Sequence, residues 1–385
     1  RKTSFRPRPS PLDWETLERD RNPMRGFFTL FWMAMAAYMA GAFWNNYRVS
    51  GIPVSLSLFN LFSKDSSGLA LADLTLVAST FVVVGIQKCL IWGIVPRSAA
   101  LIVQHTWQSL WFATCISWVF YKDWPWVQSG FFVLHSMSML MKQHSYLSYN
   151  RSMCHKDAKL RALQRQMDDI AGRMKQLDDD DSALPDLEQE WNVLRTNAED
   201  LQVELCKGKT RYPANVTVAN FTDYLLVPTL VYELEYPRTN RVRPIYIVEK
   251  GVATLGTFMI LYVTVEHYIN PVLYTMNSIS FVDALARLLL PFMVCYLLVF
   301  YIIFECILNG FAEITRFADR EFYEDWWNSV TFDEYARKWN KPVHEFLLRH
   351  VYNEGLTTYK LSKTNATFLT FFLSSCLHEL VMFCI

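Results

Sequence analysis

Apolar residues in this chain come in long blocks rather than at alternating positions. Gly26–Trp44 (GFFTLFWMAMAAYMAGAFW) has no charged residue, and Ser98–Phe120, Val127–Met141, Gly251–Val265 and Leu288–Phe304 share that character. Leu69–Val95 carries only Asp73 and Lys88. About 20 apolar residues cross a bilayer, so the pattern predicts six spanning helices and a seventh that starts near Asn365. The competing reading, buried helices of a large soluble protein, fits poorly. Only 19% of the 385 residues are charged, against about a quarter in soluble domains. The fold class is therefore all-α, a polytopic transmembrane helical bundle.

Positive residues mark the cytosolic side of a membrane protein. Residues 1–25 are rich in Arg and Lys and read as a cytosolic N-terminal segment, followed by spans one to four over 26–148. Pro96–Arg97 then lies inside and Tyr121–Trp126 outside, with Trp124 and Trp126 suited to an interfacial belt. The basic stretch Lys142–Arg243 and the segment Asn309–Thr364 both fall inside. Four glycosylation sequons, at Asn150, Asn215, Asn220 and Asn365, face the cytosol or the membrane on this topology, so none should carry glycan. The chain starts at Arg1 and stops at Ile385 within an apolar run, which predicts a fragment that lacks further spans.

The long polar stretch has its own period. Leu160, Leu163, Met167, Ile170, Met174 and Leu177 follow 3-4 spacing, and Leu187, Trp191, Leu194, Leu201 and Leu205 repeat it after the acidic turn Asp178–Asp186. That is an a/d seam, and it predicts a cytosolic helical hairpin over 149–212. Pairing of the two arms with each other competes with self-association between chains. Residues 213–246 follow, where Phe221–Tyr236 is apolar but interrupted by Asp223, Pro228 and Glu233, as expected of an interfacial or broken helix. Spans five and six occupy 247–309. An amphipathic cytosolic segment takes 310–364, and the last helix 365–385.

Zero net charge gives no case for nucleic-acid binding. Eight scattered cysteines without a CxxC pair or a Cys/His cluster at ligand spacing predict neither disulfides nor a metal. Polar groups at membrane depth are costly and usually functional. His378 is the clearest, inside TFLTFFLSSCLHELVMFCI beside Glu379, with Ser374 one turn earlier on the same face. A second cluster joins FADREFYEDWWN (Phe317–Asn328) to WNKPVHEFLLRHVY (Trp339–Tyr352). Its aromatic faces, with Arg316, Arg320, Arg337, Lys338, Lys341 and Arg349, suit a large anionic cofactor with a planar base. Equally, the tryptophans suit an interfacial anchor.

FYEDWWN, with Phe322, Tyr323, Asp325, Trp326, Trp327 and Asn328, matches the FYxDWWN signature of the sterol and diacylglycerol branch of the membrane-bound O-acyltransferases. YELEYPRTNRVR (Tyr232–Arg243), WNKPVHEFLLRHVY and the pair His378-Glu379 extend the likeness over most of the chain. MKQHSYLSYN (Met141–Asn150) resembles the sterol branch, and the whole is similar to the fungal sterol O-acyltransferases. YPANVT (Tyr212–Thr217) leans instead towards the diacylglycerol branch.

The resemblance implies a catalytic pair, His378 and Asn340. It implies an acyl-CoA channel near Glu334, Arg337, Trp339, His344, Tyr352, Lys363 and Ser374, and gives Asn328 a structural role. It also implies acyl-CoA as co-substrate with no permanently bound cofactor, and a sterol or diacylglycerol drawn from the bilayer. A homo-oligomer in the endoplasmic reticulum membrane is expected, together with further helices after His378. In this reading His378 removes the proton of the acceptor hydroxyl and Asn340 orients the thioester or donates to the oxyanion. Ser374 as an acyl-carrying nucleophile is a weaker alternative. A transporter relaying protons through His105, His135 and His378, or a lipid sensor, would be the readings from another class.

Overall fold

The computed structural model describes residues 5–13, 16, 25–53, 63–176 and 184–385. Parts of the N-terminal segment, the loop at 54–62 and most of the acidic hairpin turn lie outside them. Nearly everything described is helix. Five helical stretches are long and apolar enough to cross a bilayer: Arg25–Ser50, Ser66–Ile91, Pro244–Tyr274, Phe281–Ile314 and Lys363–Cys384. The first is α1. The second is broken into α2 (Ser66–Ser79) and α3 (Val82–Ile91).

Two further blocks read as spans are helical but more polar than those five. They are α4 (Ala100–Lys122) and the start of α5 (Trp126–Met174). Their polar groups are turned on each other: Trp107 Nε1 donates to Gln143 at 2.9 Å, and His144 Nδ1 meets Gln108 at 3.2 Å. Asp73 on α2 and His135 on α5 likewise pair at 2.5 Å. Pairing lowers the cost of polar groups at that depth.

No break in the helix marks the expected boundary near residue 148. Helix α5 runs unbroken through 49 residues, roughly 73 Å at 1.5 Å per residue, so the fourth block and the first hairpin arm are one rod. No Pro or Gly interrupts its middle, and Leu and Met continue the 3-4 period where the apolar block ends. The arm pairs with α6 (Leu184–Glu204), burying Leu160, Ile170, Leu187 and Ala198. Lys156 and Glu204 bridge the hairpin base at 2.7 Å. The a/d seam is closed within the chain. A two-residue ribbon, β1 (Cys206–Lys207) with antiparallel β2 (Thr210–Arg211), leads away from it.

Residues of the segment read as an interfacial or broken helix pack into the buried core. Thr217 caps α7 (Val218–Leu226) by accepting from Asn220 N. Phe221, Tyr224, Val227 and Tyr232 are all at most 1% exposed. Tyr146 from α5 sits edge-on to both Phe221 and Tyr232, with ring centroids 4.8 Å apart in each case. Asn215 donates to Asn150 at 2.8 Å and to the Tyr232 hydroxyl at 3.0 Å. Two of the sequon asparagines are thus buried hydrogen-bond partners, which excludes glycan from them in the folded chain.

Lys142 holds this interior to α5. Its ammonium donates to the carbonyls of Tyr224, Leu225 and Val227 at 2.9, 3.0 and 2.8 Å, and lies over the Tyr224 ring. An ammonium has three N–H donors, and all three are used. They satisfy carbonyls that the end of a helix leaves without partners, where the C-terminal dipole favours a cation.

The remaining spans are α8 (Pro244–Thr264), continued through a wider π turn into α9 (Asn270–Tyr274), and α10 (Phe281–Phe300), continued through the π turn Tyr301–Ile307 into α11 (Leu308–Ile314). Then come α12 (Phe332–Trp339), α13 (Lys341–Leu347), a π turn at Leu348–Asn353, α14 (Glu354–Thr357) and α15 (Lys363–Cys384). Thr331 and Ser362 cap α12 and α15 by accepting from Glu334 N and Asn365 N. The described part of the N-terminal segment is no free tail. Arg8 pairs through its backbone with Ala318 and Arg320 and through its guanidinium with Asp319.

Lys142→Met keeps the length of the side chain but removes the shared donor from three carbonyls, of which Val227 also accepts from Thr229 N. The expected loss is about 3 kcal/mol or more, read as a lower thermal unfolding midpoint in detergent. A midpoint equal to wild type would contradict the tripod's role.

Candidate active site

The FYEDWWN segment folds as an aromatic plinth beneath α12. Phe322 and Tyr323 are buried, at 3% and 0% exposure. The Tyr323 hydroxyl donates to Glu305 at 2.6 Å. Glu305 is fully buried in the π turn, takes a second hydrogen bond from Ser10, and faces the Lys250 ammonium at 3.8 Å. Asp325 pairs with Lys338 at 2.8 Å, and that bond holds its carboxyl below the usual range. Asn328 donates to Asp325 at 3.4 Å, a bond internal to the turn, in keeping with a structural role. Trp327 is 42% exposed.

Trp339 packs among aromatic rings. Tyr296 stacks on it at 4.8 Å with 8° between planes, and Tyr335 at 5.7 Å with 17°. Trp326 meets its edge at 4.8 Å. Trp339, expected near the acyl-CoA channel, thus has aromatic neighbours within the protein. Tyr335 stands four residues before it on α12, a spacing that brings side chains together on one helix face, whereas Tyr296 lies on α10.

Basic residues named with this cluster have carboxylate partners within the protein. Arg320 pairs with the buried Glu313, and Arg349 with Glu233 at 2.6 Å. Arg337 pairs with Asp333, Lys338 with Glu334 and Lys341 with Glu324, each at 2.7 Å. An anionic ligand must exchange with these carboxylates rather than meet bare cations. The exposed pair Arg337–Asp333 is worth about 1 kcal/mol or less, so its exchange is cheap, whereas Arg320–Glu313 is buried.

A cleft of about 460 Å³ opens between α12 and α13, lined by Glu324, Thr331, Glu334, Arg337, Lys338, Lys341, His344 and Glu345. It brings together three of the expected acyl-CoA residues: Glu334, Arg337 and His344. Burial lowers the pKa of His344, and Arg337 adds to the effect, so its ring is neutral at cytosolic pH. Tyr352 lies on the π turn after α13, and Lys363 and Ser374 on α15; none of these lines the cleft.

Asn340 stands between α12 and α13 as the cap of α13, its Oδ1 accepting from Val343 N at 3.2 Å. His378 lies on an exposed face of α15. Its Nδ1 is 2.7 Å from the Ser374 carbonyl, and a carbonyl only accepts, so Nδ1 carries the proton and Nε2 is left as the basic nitrogen. Ser374 therefore contacts His378 through its backbone. Among the described residues no hydrogen bond joins Asn340 to His378. Sequence reasoning passes over Glu305, although an isolated carboxylate just after the apolar run 288–304 is the kind of signal that marks a buried polar site.

Residues 102–385 match the model of the membrane-bound O-acyltransferase family. Probable sterol O-acyltransferase 1 of Schizosaccharomyces pombe is 33% identical over 98% of this chain and 75% of its own length. Probable sterol O-acyltransferase 2 of the same yeast is 36% identical, over 96% and 77% respectively. Sterol O-acyltransferase 2 of Saccharomyces uvarum is 34% identical, over 94% of this chain and 57% of its own length. The chain belongs to the membrane-bound O-acyltransferase family. Its class of activity is acyl-CoA-dependent O-acyl transfer, with acyl-CoA as co-substrate.

Trp339→Ala removes a ring held by two stacked tyrosines and is expected to cost about 3–5 kcal/mol. The readout is the thermal midpoint of the purified protein. An unshifted midpoint would show that this packing does not hold α12.

Proposed function

We propose that the protein is a sterol O-acyltransferase, moving a fatty acyl group from coenzyme A to the hydroxyl of a bilayer sterol. The observation that carries the reading is the tautomer of His378. With Nδ1 bound to the Ser374 carbonyl, the Nε2 lone pair is free to act as general base. It takes the acceptor's proton as the hydroxyl oxygen attacks the thioester carbon. The tetrahedral intermediate collapses, the C–S bond breaks, and the imidazolium returns the proton to the coenzyme A thiolate. The products are a sterol ester and free coenzyme A.

Asn340 supplies the second role. Its Oδ1 is committed to capping α13, which fixes the amide and leaves the Nδ2 hydrogens free to donate to the developing oxyanion. The cleft holding Glu334, Arg337 and His344 is where the coenzyme A head group enters from the cytosol. Tyr352, Lys363 and Ser374 line the remaining way to His378. The apolar substrates enter and leave through the lipid. The reading carries with it a location in the endoplasmic reticulum membrane and a homo-oligomer.

The diacylglycerol branch shares the FYxDWWN signature, so triacylglycerol synthesis is the alternative within the family.

Steady-state kinetics of His378→Ala and two Asn340 variants test the catalytic assignment. His378→Ala should lose about 10²–10⁴-fold in kcat. Asn340→Asp keeps the cap but loses the donor, and should fall about 10²–10³-fold in kcat with little change in stability. Activity retained in His378→Ala removes the proposed base. An Asn340→Asp enzyme with wild-type kcat reduces Asn340 to its capping role.

A further inference from the structure

We propose that His144, His350 and Glu354 form a binding site for one divalent transition-metal ion, zinc being the ion whose ligand chemistry they match. The site joins α5 to the π turn at Leu348–Asn353 and to α14, just ahead of the helix that carries His378. His350 and Glu354 stand at i,i+4 spacing, but the third ligand, His144, lies on α5 some two hundred residues earlier.

One ligand atom from each residue lies within 4.8 Å of the other two. His350 Nδ1 is 3.6 Å from Glu354 Oε1, near the ~3.3 Å that separates ligands about 2.0–2.1 Å from a tetrahedral zinc. The widest gap needs to close by about 1.5 Å on binding, within reach of side-chain rotation.

The outer partners make the case. A metal-binding histidine ordinarily engages its other ring nitrogen with a second group, which fixes the tautomer. Here His144 Nδ1 faces the Gln108 side-chain oxygen at 3.2 Å, leaving Nε2 for an ion. His350 Nε2 meets the Ser145 hydroxyl at 2.8 Å, leaving Nδ1. Ser148 donates to Glu354 at 2.9 Å. His350 is only 7% exposed, and its Nδ1 is buried without a hydrogen-bond partner. Its acidic neighbour is the Glu354 oxygen at 3.6 Å, and a metal between the two would bind both. Two imidazoles and one carboxylate favour zinc or cobalt over magnesium or calcium, which prefer oxygen donors. Arg151 lies close enough to His144 to oppose a cation there, so the affinity rests on all three ligands together.

Full-length protein is stripped with a chelator, reloaded with zinc chloride, desalted and assayed for metal by mass spectrometry. Wild type should retain about one zinc per chain, and His350→Ala and Glu354→Gln should each bind at least tenfold more weakly. Gln108→Leu removes only an outer partner and should weaken binding about 10–100-fold. Because a variant can fail to fold, wild type is also titrated with cobalt(II), whose visible absorption reports low-coordinate nitrogen and oxygen ligation directly. Wild type without zinc above the desalted control, or without a cobalt band, overturns the proposal. So does His350→Ala binding zinc as tightly as wild type.

Discussion

Every backbone carbonyl inside an apolar bundle must find a donor, and Lys142 answers that constraint for the interior of this protein. Three carbonyls at the end of α7 converge on one ammonium. Removing it would expose acceptors that have no water to turn to. Around this point the tyrosines of α5 and of residues 212–236 pack edge to face. Arg349 then ties the π turn after α13 to Glu233 in the same layer. The route from Lys142 to the segment before α15 is short, and it explains how so exposed a helix keeps a fixed place.

A second buried network stiffens the other side. Glu305 gathers Ser10 and Tyr323 by hydrogen bonds and Lys250 by charge, while Asp13 receives the Tyr246 hydroxyl at 3.1 Å. One carboxylate thus links the N-terminal strap, two membrane helices and the FYEDWWN signature. The signature's buried Phe322 and Tyr323 act as fold elements that set the height of α12 and α13. Under the proposed function, chemistry falls instead to Asn340 at the junction of those helices and to the lining of the cleft beside it.

Much of this was legible in the chain. Long apolar blocks marked the spans, and the Leu160–Leu205 seam marked the hairpin, because both signals are local and periodic. What stayed hidden depends on partners far away in sequence. Lys142 finds its carbonyls 82 residues on, which turned an apparently interfacial stretch into core. Trp339 stacks on Tyr296, which lies on another helix. The basic residues of the amphipathic segment looked like a docking surface because their carboxylate partners cannot be assigned from composition. The continuity of α5 was missed for a different reason: hydropathy ends at Met141, but helix propensity does not.

The central claim is that a membrane-embedded imidazole on α15 deprotonates a sterol hydroxyl for attack on acyl-CoA. The most direct measurement supplies purified full-length protein with radiolabelled acyl-CoA and, in parallel, sterol or diacylglycerol in mixed micelles. Labelled sterol ester in the first mixture, with little triacylglycerol in the second, is the predicted result. Triacylglycerol as the main product, or no labelled ester in either mixture, would contradict it.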